Sequence, residues 1–205
     1  AEMESGTRGV DYITVDGGEG GTGAAPLVFA DHVSLPFMAA HARVFSAFAE
    51  RGLQQKVTFI GSGRLGLPDR AALALALGVD MVHIAREAML SIGCIQAQRC
   101  HTGHCPVGVT TQSQWLQRGL EPQSKGQRAG TYVRVLRSEL LKLANACGVA
   151  HPGLLTLEHI ELLDHGVPQN PWARFRYEKG WSLPGEKDIR DVTELMDQAI
   201  PLAHG

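Results

Sequence analysis

The sequence predicts an α/β fold with a parallel sheet, and three observations carry that prediction. Short runs rich in β-branched and aromatic residues end at glycines or charged turns, segments of helical pattern lie between them, and three of the four cysteines fall in one loop after the third run. Strand, helix, strand, helix, strand in that order calls for right-handed crossovers and therefore parallel pairing.

The elements follow in turn. Asp11–Val15 is the first strand, stopping at glycines, and Pro36–Arg51 is a helix that ends at Gly52. Lys56–Ile60 is the second strand, bounded by Gly61-Ser-Gly63. Pro68–Gly78 then has proline near its start, alanine and leucine through its middle and glycine at its end, the signature of a short helix. Asp80–Ile84 is the third strand, where His83 is expected to be a satisfied core histidine. Farther on, Tyr132–Cys147 repeats its apolar residues at helical spacing, which assigns Cys147 to the core. Thr156–Leu163 reads as a short Thr-capped helix. The stretch from Pro168 to Pro184 is expected to wrap the surface, with Trp172, Phe175, Tyr177 and Trp181 as packing or interface anchors.

At 205 residues, 44% hydrophobic and a net charge of −2, the chain is able to bury a core and carries no bulk signature of nucleic-acid or membrane-surface binding. Its apolar runs are broken well short of a membrane span. The first residue is alanine and Ala-Glu-Met-Glu-Ser-Gly leads straight into a strand, so the start is expected to be a cut. The expected location is cytoplasmic, with a membrane anchor in a missing amino-terminal region left open.

In parallel α/β folds the chemistry sits at the carboxyl ends of the strands. Asp16-Gly-Gly-Glu-Gly-Gly-Thr-Gly-Ala-Ala-Pro26 follows the first strand; its glycines let a ligand approach the main chain closely, and a flexible linker is the plainer reading. No Gly-Lys-Ser/Thr follows, so it is not a Walker loop. Ser62-Gly63-Arg64 and Ala85-Arg86 follow the second and third strands and offer backbone N–H groups and two guanidinium groups to a dianionic phosphate. Solvated surface arginines are the alternative.

The third feature is the segment Cys94-Ile-Gln-Ala-Gln-Arg-Cys100-His-Thr-Gly-His-Cys105-Pro106. Three clustered thiolates followed by proline suit an iron–sulfur cluster. Zinc held with His101 or His104, or simple packing of small apolar side chains, remain open on spacing alone. A disulfide is a weaker reading in a chain without a secretory signal pattern.

Taken together, these segments resemble the flavin-binding synthase domain of glutamate synthases, from about Gly9 to about Asp164. Asp16–Pro26 is similar to that family's glycine loop, Ser62–Gly78 to its seventh strand-to-helix unit and Met81–Arg86 to its eighth strand. The spacing C-x5-C-x4-C and the trailing Cys-Pro-Val-Gly in Gly93–Gln112 are similar to its [3Fe–4S] ligand segment. The resemblance implies the carboxyl-terminal part of a (β/α)8 TIM-type barrel, with an iron–sulfur loop and a helical and irregular tail. Residues 1–115 would be barrel units, including the cluster loop 94–105, and 116–205 the carboxyl-terminal extension. It implies that Cys94, Cys100 and Cys105 bind the cluster and that Ser62, Gly63, Arg64, Ala85 and Arg86 form the FMN-phosphate region. Glu19, with Gly20 to Gly23 and hence Gly21 and Thr22, would line the reaction side.

The implied reaction reduces 2-iminoglutarate, formed from 2-oxoglutarate and ammonia, to L-glutamate, with electrons arriving from a donor protein or reductase subunit. A separate amidotransferase subunit would release ammonia from glutamine. Three barrel strands precede the cluster loop, where a complete barrel of about 250 residues has eight, so the resemblance implies a fragment of a longer enzyme. Two other readings share the motifs: the flavin subunit of a complex that transfers methylamine nitrogen onto glutamate, using another amine, and a non-catalytic electron-transfer or scaffold piece.

Overall fold

A computed structural model describes residues 2–6, 8–20, 25–31 and 33–199. Helix α1 (Glu2–Ser5) precedes strand β1 (Tyr12–Asp16), and the single turn α2 (Leu27–Ala30) leads to helix α3 (Phe37–Ala49). Strand β2 (Thr58–Ser62), helix α4 (Pro68–Ala76), strand β3 (Met81–His83) and helix α5 (Arg86–Ser91) complete the alternating part. After the cysteine loop come α6 (Gln114–Gln117) and the long α7 (Pro122–Ala146). The tail holds strands β4 (Leu162–Asp164) and β5 (Val167–Gln169) and helices α8 (Pro171–Phe175) and α9 (Glu186–Ala199).

The three leading strands form one parallel sheet in the order β1-β2-β3. Asp16 stands opposite Ser62 and Ser62 opposite His83, so the three carboxyl ends lie in one row and their loops emerge side by side. Central β2 is buried through its middle, whereas Tyr12 of β1 and Met81 of β3 are exposed along the two edges. Strand β2 runs through Gly61 instead of stopping there. A Cβ on Gly61 would lie 2.6 Å from the ring of Phe37, so the glycine makes room for an aromatic side chain and does not end the strand.

The core lies between this sheet and α3. Phe45, Phe59, Leu77 and Tyr177 pack in one cluster, with Phe45 and Tyr177 stacked at 5.2 Å; each such buried side chain contributes about 1.5–3 kcal/mol. Helix α7 lies across α4 and α5, and the Tyr132 hydroxyl donates to the Gly66 carbonyl at 2.8 Å.

Several expectations are corrected. Cys147 is exposed: the buried stripe of α7 ends at Ala144, and Cys147 caps the helix where the chain turns at Gly148, with neighbours on one side only. His83 is exposed because β3 is a three-residue edge strand. Thr156 does cap, but it caps a 3-10 turn, Leu157–His159. The following residues form β4, which returns as β5 through His165 and Gly166, both at positive φ as a tight hairpin turn requires. Tyr177 belongs to the core and not to a surface wrap, while Trp172, Phe175 and Trp181 pack against that core as expected of anchors.

The core histidine is His41, fully buried on α3 with Phe37 stacked on it at 5.5 Å. Its Nε2–H donates to the Leu77 carbonyl at 3.2 Å and its Nδ1 has no partner. Burial pushes the imidazole down to about 4, against the opposing effect of the Leu77 hydrogen bond. The folded-state value is depressed, so the contribution is whole above the unfolded value and fades as pH falls. Between about pH 6.5 and 4 the unfolded chain takes up a proton that the folded chain refuses, and stability drops by roughly 3 kcal/mol. Urea midpoints measured across that range are expected to fall in the native chain, and His41→Leu to flatten the slope.

Candidate functional site

The row of strand ends opens into a cleft of about 580 Å³, within the usual range for small-molecule sites. Asp16, Ser62 and His83 contribute from the three strands, Arg64 and Arg86 from the loops after β2 and β3. Gly63, Ala85, Glu19 and Gly20 also line it, as do Cys94, Cys100 and His101. Residues brought together here are far apart in sequence, and parallel register is what gathers them. Gly21 and Thr22 lie outside the described residues.

Arg64 and Arg86 converge on one carboxylate. Arg64 Nη2 is 3.0 Å from Asp31 Oδ1 and Arg86 Nη2 is 3.3 Å from the same oxygen. All three side chains are partly exposed, and Arg64 Nε is buried without a partner. Arg64 adopts φ 54°, a left-handed conformation uncommon for a bulky residue and characteristic of constrained sites. Asp31 was not foreseeable from sequence: it sits in the mostly apolar run Leu27-Val-Phe-Ala-Asp31, and no spacing links it to arginines 33 and 55 residues later.

Glu19 has a definite local task. Both its carboxylate oxygens accept from the Phe37 backbone N–H, at 2.8 and 2.9 Å, satisfying a free donor at the start of α3. Gly17 donates to the Ser62 carbonyl and Gly18 to the Leu35 carbonyl, so the glycine loop is fastened to the ends of β2 and α3. Gly20 lies against the Arg86 guanidinium, where a Cβ would come within 3.3 Å.

The cysteines divide into two kinds. Cys94 and Cys100 are half-buried on the cleft wall, whereas Cys105 is buried and is not among the residues lining the cleft. Burial pushes the Cys105 thiol up, but backbone N–H groups of Thr110, Val107 and Val109 together outweigh it and hold the thiol below its usual value. The Gln96 N–H donates to Cys94 Sγ at 3.4 Å. Gln96 and Gln98 both adopt φ 54°, and they line the cleft between Cys94 and Cys100. Among the described residues no three His, Cys, Asp or Glu side chains are gathered closely enough to hold a single metal ion.

The chain matches, over residues 2–150, the family described as the conserved region in glutamate synthase. It belongs to the glutamate synthase family. It is 43% identical over 160 residues to the glutamate synthase large subunit-like protein YerD of Bacillus subtilis, covering 78% of this chain and 30% of that relative. It is 37% identical over 143 residues to the archaeal glutamate synthase [NADPH] of Methanocaldococcus jannaschii, covering 70% of this chain and 28% of the relative. A glutamate synthase large subunit-like protein of Rhizobium meliloti is 33% identical over 159 residues, 70% of this chain and 36% of the relative. The chain thus spans about a third, or less, of the length of these glutamate synthase relatives. No helix among the described residues is long and apolar enough to cross a membrane.

In this family member Glu19→Ala is expected to cost about 1 kcal/mol through the lost helix cap. The check is a lower urea midpoint with an unchanged denaturant slope.

Proposed function

We propose that this chain is the carboxyl-terminal part of the FMN-binding (β/α)8 barrel of a glutamate synthase, with a [3Fe–4S] cluster in the 94–105 loop. In this reading residues 1–115 are barrel units and 116–205 their extension. The observation that carries it is the meeting of two arginines and two cysteines in one cleft at the carboxyl ends of parallel strands. Phosphate sites of (β/α)8 barrels use the loops after the last two strands, which is the position these arginines would hold.

The residues present suit both groups. A dianionic phosphate would satisfy two guanidinium groups and the buried, unpartnered Arg64 Nε, with N–H groups of Ser62, Gly63 and Ala85 nearby in the same two loops. Three thiols supply one ligand for each of three irons, and Cys105 is already surrounded by N–H donors that favour a thiolate. The two left-handed glutamines between Cys94 and Cys100 are a further sign, since strain of this kind persists where the surroundings require it.

When bound, the flavin supplies a hydride to 2-iminoglutarate, formed from 2-oxoglutarate and ammonia, while the cluster supplies electrons singly. The chain's own part is to hold and orient. Arg64 and Arg86 bind the phosphate; Cys94 and Cys100 face the cleft while Cys105 anchors the loop from its buried side. Glu19 keeps the glycine loop seated on α3 with Gly20 on the cleft, and the reaction side is assigned to Glu19, Gly21 and Thr22. Electrons would come from a donor protein or reductase subunit and ammonia from an amidotransferase subunit, in the cytoplasm.

Anaerobically purified protein is expected to contain about three irons with acid-labile sulfide and no zinc. Cys100→Ser should abolish the cluster and the exposed Cys147→Ser should leave it. Stoichiometric zinc without sulfide would overturn the assignment. In the complete native polypeptide, Arg64→Ala or Arg86→Ala should weaken FMN binding by about 1.5–3 kcal/mol each, the loss of a charge-assisted contact. Fluorescence titration measures this, and unchanged affinity in both variants removes the arginines from the site.

A further inference from the structure

Gly93, the residue before the first cysteine of the loop, adopts φ 108° and leaves its side-chain space to cations of helix α7. A Cβ there would lie 2.9 Å from Lys125 Nζ and 3.9 Å from Arg128 Nη1. Cys94 follows directly, and its N–H donates to the Met89 carbonyl at 3.0 Å, at the end of α5. The half-buried Lys125 ammonium and the backbone of the cysteine loop therefore meet at one corner of the protein. Lys125 stands near the start of α7, where the positive end of a helix disfavours a cation. The capping carboxylate of Glu121 offsets part of that cost while it accepts from the Gln123 and Ser124 N–H groups at 2.9 and 2.6 Å. The helix by itself gives little reason for a lysine at this position.

Charge of opposite kinds is divided along the same corner. Between Glu87 and Glu139 the chain carries Arg99, Arg118, Lys125, Arg128, Arg134 and Arg137 against the single carboxylate of Glu121, a net charge of +5. The whole chain stands at −2, so the remainder stands at −7. In the cleft, Asp16, Glu19, Asp31 and Glu87 outnumber Arg64 and Arg86. Three thiolates bring further negative charge to the loop, and the compensating cations lie on its α7 side.

We infer that Lys125, with Arg128 behind it, sets the reduction potential of the cluster: its ammonium beside Gly93 favours the reduced state, which carries one more negative charge. The inference rests on the reading of Cys94, Cys100 and Cys105 as cluster ligands. Net charge around a cluster is one of the levers on its potential. A half-buried ammonium acts with less screening than a surface one, so Lys125 counts for more than the exposed Arg99 and Arg118. Glycine at position 93 lets that ammonium approach the loop.

The test is a potentiometric titration of the complete native polypeptide, purified anaerobically and followed by the electron paramagnetic resonance signal of the cluster. Lys125→Gln is expected to make the cluster about tenfold harder to reduce, a shift of about 59 mV to lower potential for one electron. Arg128→Gln, farther from Gly93 and more exposed, should shift it the same way by less. Lys125→Arg keeps the charge and should restore the wild-type value. An unchanged potential in Lys125→Gln overturns the inference, as does an equal shift in Lys125→Gln and Lys125→Arg, which would be an effect of shape. A cation that only complements the carbonyl end of α5 would lower the urea midpoint of Lys125→Gln and leave the potential where it was, and that too overturns it. If Lys125→Gln assembles no cluster, the iron and sulfide content of Lys125→Arg decides. A full complement there shows that the loop needs the charge, and its loss there shows a packing role and overturns the inference. The cluster reading fails separately: wild-type protein without iron and sulfide removes that reading and the inference with it. A wild-type cluster whose potential is indifferent to Lys125 removes the inference alone.

Discussion

The contact on which the rest of this structure depends is the seat of Phe37. Its side chain is fully buried, its backbone N–H is taken by both oxygens of Glu19, and three glycines are cut away around it. A Cβ on Gly17 would strike the Phe37 backbone and the Glu19 carboxylate, one on Gly61 the far end of the Phe37 ring, and one on Gly63 its Cβ. A single residue thus brings the loop after β1, the end of β2 and the start of α3 to a common point. Arg64 follows directly on Gly63, so the position of the anion site is set by the packing of an aromatic ring.

That arrangement explains which parts of the protein can be read in the sequence. Strands β1, β2 and β3 and helices α3 and α4 are legible because their signals are local: β-branched runs, proline at the first helical turn, glycine after the last. The arginine and cysteine positions are legible as residue types at strand ends. Gly61 is the instructive failure, since a glycine that clears space for Phe37 looks in sequence like a glycine that ends a strand. His83 misses its expected place in the core for a related reason, and the buried histidine is His41 instead. His83 lies on an apolar strand, but that strand is an edge, and whether a strand is central or peripheral depends on partners far along the chain. Asp31 and Tyr177 act through contacts with residues dozens of positions away and leave no periodic trace.

The charged cleft and the aromatic core lie on either side of the same elements and impose opposite demands. In the core, His41 is kept neutral because no opposite charge accompanies it into burial. In the cleft, Arg64 and Arg86 remain partly exposed and share a carboxylate, so charge is kept but its partner is exchangeable. Cys105 lies between these regimes. It is buried, yet N–H donors from the turn that follows it favour a charge there.

The carbonyl of Leu77 accepts from the His41 imidazole and from the Tyr177 hydroxyl, the latter 100 residues away at 3.0 Å. In a cell, that span is a matter of time. At ribosomal rates of about 5–20 residues per second, α3, β2 and α4 emerge roughly 5–20 s before the residue that closes their aromatic cluster. For that interval Phe45 lacks its stacking partner and one flank of the nascent core stays open to water and to other chains. Tyr177 therefore acts as a clasp on α3 and α4, and the interval in which that flank is exposed is set by its arrival.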